Sequence, residues 1–104
     1  MKKKKEILKE IKDAVLKIEP ASEVILFGSR ARGDERKDSD WDILILVPGK
    51  ADLKTEQRFR HTLFFLELKY GIAISTFVHS KHDWDNKYRA TPLFHNIRKE
   101  GKMV

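Results

Sequence analysis

The chain has 104 residues, 40% of them hydrophobic and 37% charged, with a formal net charge of +6. That length supports one modest core, so a single domain over residues 1–104 is expected, and the balance excludes a disordered or collagen-like chain. Cysteine is absent, which excludes disulfides and thiolate metal sites, and no apolar run approaches the roughly 18 residues of a membrane span.

The N-terminus is basic, but charges recur at Glu6, Lys9, Glu10, Lys12 and Asp13. No hydrophobic signal core follows, and the cytoplasm is the expected compartment. The positive excess suits an anionic partner, yet much of it lies in the run Lys2 to Lys5. Such a run reads more simply as a solvated helix end.

Ile7, Ile11, Ala14, Val15 and Ile18 recur at helical spacing and predict a first helix from about Lys4 to Ile18, stopped by Pro20. Glu23 to Phe27 reads as a short buried strand ended by Gly28. Ser29 is placed to cap a brief turn through Arg32, and a charged loop runs from Asp34 to Ser39. Trp41 to Val47 is apolar at nearly every place, as in a strand covered on both faces.

Pro48-Gly49 marks a turn, and Asp52 is placed to cap a helix to Tyr70, with Gly71 as its breaker. Phe59, Leu63, Leu66 and Tyr70 form its inner face. Phe64 and Phe65 exceed that face, so one of them is expected in solvent at a partner surface. Ile72 to His79 predicts a third strand, Ser80 caps a helix to about Arg89, and Thr91-Pro92 opens a last helix ending at Gly101. Four scattered histidines, His61, His79, His82 and His95, lack metal-ligand spacing and read as surface residues. Trp84 and Tyr88, four apart, make a packing stripe. The order is α-β-α-β-α-β-α-α around one small sheet.

Chemistry gathers at Gly28-Ser29 and at Asp40-Trp41-Asp42. Side chains alternate along a strand, so Asp40 and Asp42 share a face and Trp41 points into the core. Two carboxylates one repeat apart suit a hard cation such as magnesium, and the glycine-serine turn between strand and helix suits phosphate. Arg30 and Arg32 follow: Arg30 divides evenly between phosphate and a structural partner at Asp34 or Asp38, and Arg32 reads mainly as a tie between helix and loop.

Gly28-Ser29-Arg30-Ala31-Arg32-Gly33 followed by Ser39-Asp40-Trp41-Asp42 resembles the signature of the DNA polymerase β-like nucleotidyltransferase superfamily, and within it the minimal nucleotidyltransferase (MNT) proteins. The resemblance implies an α/β (α+β) fold with a small mixed sheet of three or more strands flanked by helices, like the polymerase palm. It implies that Asp40 and Asp42 are catalytic and hold one or two Mg2+ ions, while Gly28, Ser29, Arg30 and Arg32 bind nucleotide. It further implies transfer of AMP from ATP to a hydroxyl, the acceptor being a tyrosine of a HEPN-type toxin. The runner-up is a degenerate MNT antitoxin that occludes its partner without transfer.

One departure stands out. Active relatives bring a third acid from a later strand, and the strand here has none, with Ser75 or Thr76 at the expected place. No face interleaves aromatic and basic residues, which disfavours nucleic acid as the ligand. The oligomeric state is left open.

Overall fold

A computed structural model describes residues 2–104. The strand β2, Trp41–Val47, lies between β1, Glu23–Phe27, and β3, Ile74–Ser80, in a four-stranded sheet of order β3-β2-β1-β4. β1 pairs antiparallel with β2, and β2 pairs parallel with β3, so the sheet is mixed. The expected continuous burial of β2 is observed: every residue except Asp42 is buried, and Ile43, Leu44 and Ile45 are wholly inaccessible.

Alternation along β2 sends Trp41, Ile43, Ile45 and Val47 to one face, where they pack with Ile7, Ile11 and Val15 of α1 (Lys2–Ile18) and Phe59 and Leu63 of α3 (Leu53–Tyr70). Leu44 and Leu46 go to the other face with Phe27. Trp84 of α4 (Lys81–Asn86) and Phe94 and Ile97 of α5 (Pro92–Glu100) cover them. Two cores therefore share one sheet, and only Asp42 interrupts the apolar central strand.

Turn chemistry places the helix ends as read. Asp52 accepts from the Thr55 amide at 2.9 Å, Ser80 from Asp83 at 3.0 Å and Thr91 from Phe94 at 3.2 Å. Gly71 ends α3 in the left-handed region at φ 64°.

Several expectations need correction. β3 begins at Ile74, not Ile72, because the Ile72 amide closes the end of α3 on the Glu67 carbonyl and the Glu67 carboxylate takes the Ile74 amide at 2.9 Å. Glu67 is half-buried for that reason. α4 stops at Asn86 rather than near Arg89. After Gly101 the chain adds an unexpected two-residue strand β4, Lys102–Met103, on the outer edge of β1. Both Phe64 (50% accessible) and Phe65 (59%) are exposed, rather than one.

His79, read as a surface residue, is half-buried on β3, its ring 4.4 Å from Tyr88 and 5.7 Å from Trp84. Burial lowers its pKa from the ordinary 6.5, against smaller opposing effects of Glu56 and Asp83. The unfolded chain therefore takes up this proton at higher pH than the folded one. Stability is lost as pH falls through the unfolded value, and the loss levels off below the folded one. The urea midpoint should fall between about pH 7.5 and pH 5.5 in the wild type and fall less in His79→Phe; equal falls in both proteins would exclude this imidazole as the cause.

Candidate active site

The site begins with a missing side chain. β1 ends at Phe27, directly opposite Asp42 on β2. The next residue, Gly28, has φ 73° and ψ −157°, a conformation open almost solely to glycine. A Cβ placed there would lie 2.2 Å from Asp42 Oδ2. The Asp42 carboxylate thus rests in the space that glycine leaves, against the backbone of the turn.

The turn opens α2, Ser29–Arg32, in which the Ala31 and Arg32 amides both bond the Gly28 carbonyl at 3.1 Å. Gly28 is therefore the N-cap, and Ser29, expected to fill that role, is the first helical residue; no side-chain cap bond forms. Gly33, at φ 87°, ends the turn on the Ser29 carbonyl.

Asp40 is exposed just ahead of β2, and Asp42 is half-buried. Across the parallel ladder Asp42 faces Ser75, whose hydroxyl donates to Asp40 Oδ2 at 3.1 Å. Burial raises the Asp42 pKa, and the Asp40 charge adds to that, while Arg32 and the Ser75 hydroxyl oppose it. Two carboxylates that repel one another on one open face are a fit for a divalent cation, which would relieve the repulsion.

Among the described residues no three Asp, Glu or His side chains gather as a metal-holding group. The chain's own donors are therefore Asp40, Asp42 and a neutral hydroxyl. Of the two places suggested for an absent third acid, Ser75 is the one: Thr76 is buried and pairs with Ile43. Asp83 and Asp85, the next acids in the chain, do not make up the deficit: they lie beyond the far end of β3, and Asp85 pairs with Lys81 at 3.6 Å.

The two arginines separate. Arg30 turns to the Trp41 face, its guanidinium 4.3 Å from the Trp41 ring centre and bonded to the Ser39 carbonyl at 2.8 and 3.1 Å. It holds the Asp34–Ser39 loop through backbone carbonyls instead of the acids suggested for it. Arg32 bonds Asp34 at 3.2 Å, tying helix to loop as expected, and also Glu100 of α5 at 3.1 Å. Its positive charge also acts on Asp42. The Glu100 partner, 68 residues away, carried no signal in the sequence. Phe77 was also missed as a site neighbour, though its place two residues beyond Ser75 already put it on the same face.

A glycine-serine turn at the end of one strand, facing paired carboxylates at the start of the next, defines a protein of the nucleotide-transferring class. The comparisons with known proteins agree. Residues 8–91 match the family model of the nucleotidyltransferase domain, and the chain belongs to that family.

Two proteins of Methanocaldococcus jannaschii, each named "Putative protein adenylyltransferase", are similar. One is 42% identical over 78 residues, covering 73% of this chain and 79% of its own. The other is 37% identical over 82 residues, covering 78% and 75%. Among solved structures, a toxin–antitoxin with AMP-PNP superposes with a TM-score of 0.67 at 19% identity, over 91% of this chain and 69% of the other. An MntA–HpeT toxin–antitoxin mutant gives 0.66 at 17% identity, over 91% and 69%. These structural likenesses bear out the expected nucleotidyltransferase fold.

The two glycines bounding α2 allow a controlled comparison. Both have positive φ, but nothing lies within 4 Å of a Cβ built on Gly33. Gly33→Ala should cost about 1 kcal/mol of strain, and Gly28→Ala about 3 kcal/mol or more, because Asp42 must also move. Urea unfolding of the two variants measures the difference; equal costs would show that Asp42 does not occupy the space beside Gly28.

Proposed function

We propose that this chain is a magnesium-dependent adenylyltransferase that moves AMP from ATP to a hydroxyl of a HEPN-type partner protein, residues 1–104 acting as one minimal domain. The observation that carries the reading is the contact of Gly28 with Asp42, which holds the glycine-serine turn against the acidic pair. The names of the curated relatives support the adenylyl group and a protein acceptor, and the toxin–antitoxin neighbours support a partner.

In this reading Gly28 and Ser29 receive the β- and γ-phosphates by backbone amide and hydroxyl. Asp40 and Asp42 hold one or two Mg2+ ions, whose charge offsets that of the α-phosphate and the departing pyrophosphate. The acceptor oxygen bonds to the α-phosphorus, and the bond from that phosphorus to the bridging oxygen breaks. Pyrophosphate leaves with the electron pair, and the acceptor's proton passes to water by way of Asp40, the more exposed carboxylate. Arg32 lies close enough to Asp42 to offset negative charge in the hollow, and Arg30 keeps the loop leading to Asp40 in place.

Incubation with labelled ATP, magnesium and the product of the neighbouring gene tests the reading. Label should appear on the partner, and Asp42→Asn should reduce it by about a hundredfold or more, with the fold retained. Undiminished neutralisation of the partner without label would establish occlusion instead.

The neutral Ser75 yields a separate expectation. In Ser75→Asp a third carboxylate adjoins Asp40, so the melting temperature should fall in EDTA, recover with magnesium, and respond to magnesium more than the wild type does. A magnesium response equal to the wild type's would place Ser75 outside the cation site.

A further inference from the structure

Trp41 stands between Asp40 and Asp42 in the chain and points to the other face of the sheet. There it lines a cavity of about 430 Å3 together with Ile7 of α1, Tyr70 at the end of α3 and Ile72 just beyond it. The polar part of the lining is mainly basic: Lys3, Lys4, Arg30 and Lys37 against one acid, Glu35. Lys4 donates to the Arg30 carbonyl at 2.7 Å and lies 3.7 Å from Glu35 Oε2. Lys3 and Lys37 form no ion pair among the described residues. Apolar and aromatic walls with a few polar groups, at this volume, are the usual make-up of a small-molecule site.

Two orphaned atoms set this cavity apart. Among the described residues three buried side-chain polar atoms have no hydrogen-bond partner, and Trp41 Nε1 and Glu35 Oε1 are two of them. Trp41 is only 3% accessible, so folding takes its N–H from water and gives it no acceptor. Glu35 Oε1 is an acceptor without a donor. An open donor and an open acceptor, on residues that line one cavity, match a planar ligand whose edge carries an acceptor beside a donor. A 6-aminopurine has that edge, since its N7 accepts and its amino group donates. Four cations against one carboxylate suit a phosphate on the same molecule.

We propose that this cavity is a second ligand site, for a purine nucleoside monophosphate bound without metal. The ring lies against the apolar wall with its edge on Trp41 Nε1 and Glu35 Oε1, and the phosphate lies among the lysines. Arg30 sits over the Trp41 ring and holds the Ser39 carbonyl, so a ligand here bears on the loop ahead of Asp40 from behind the sheet. The site needs neither magnesium nor the acids, and loss of the transfer reading leaves it intact.

The chain has two tryptophans, so a 15N spectrum carries two indole N–H signals, which Trp84→Phe assigns. With EDTA present, AMP should move the Trp41 signal and leave the Trp84 signal in place. Purine riboside monophosphate, which lacks the amino donor, should bind roughly tenfold more weakly than AMP. Glu35→Ala should lower AMP to that level and leave purine riboside monophosphate no weaker. Lys3→Glu with Lys37→Glu, both exposed and unpaired, should weaken the two nucleotides alike. A Trp41 signal that stays fixed overturns the site, as does equal binding of the two nucleotides. So does a tightening of both in Glu35→Ala, which would leave only a basic surface. A shift that survives the paired lysine changes would trace AMP to the Gly28-Ser29 turn and overturn the second site.

Discussion

The whole arrangement depends on one carboxylate lying where a side chain is absent. Asp42 sits in the central strand, where its neighbours are apolar and buried, and its Oδ2 occupies the volume of the Cβ that Gly28 lacks. That contact couples two otherwise separate features. The sharp exit of β1 into α2 requires a positive φ, and an acid in mid-sheet requires an open neighbour. One glycine supplies both. The cost is visible in the raised Asp42 pKa, which arises first from burial and then from Asp40. A charge held under such conditions is more readily explained as a site than as a solvated strand end.

Around that contact the arginines divide two tasks, of which Arg32's tie between helix and loop was readable in the sequence and Arg30's was left open. Arg30 lies over Trp41, on the face opposite the acids, and fixes the loop that leads to Asp40. Arg32 remains on the side of Asp42 and joins α2 to α5 through Glu100. Arg32's ion pairs are exposed enough for solvent to weaken them, so their contribution to global stability is small, whereas Arg30 bonds backbone carbonyls rather than acids. Their effect is local: they hold α2 and the loop that leads to Asp40.

Much of this was legible before any coordinates. The bounds of β1 and β2 follow from apolar runs closed by Gly28 and Pro48, and the facing of Asp40 and Asp42 follows from a strand's period of two. The three side-chain caps, at Asp52, Ser80 and Thr91, carry their own local chemistry and were readable for the same reason. What escaped depends on distant partners. The start of β3 is set by Glu67 capturing two backbone amides, β4 is two residues with no period, and His79 is half-buried where Trp84 and Tyr88 pack on it. The Ser29 capping role failed because Gly28, already required by Asp42, had taken that position.

The serine at position 75 connects the site's composition to its chemistry. In the parallel register it faces Asp42, and its hydroxyl satisfies Asp40, so the third corner of the hollow is polar without being charged. A third carboxylate there would add a charged oxygen donor beside Asp40 and a further base toward a hydroxyl, and the serine supplies neither. With Ser75 in place, a cation at this position would find two charged donors among the described residues, Asp40 and Asp42, and would draw its remaining oxygens from outside the chain.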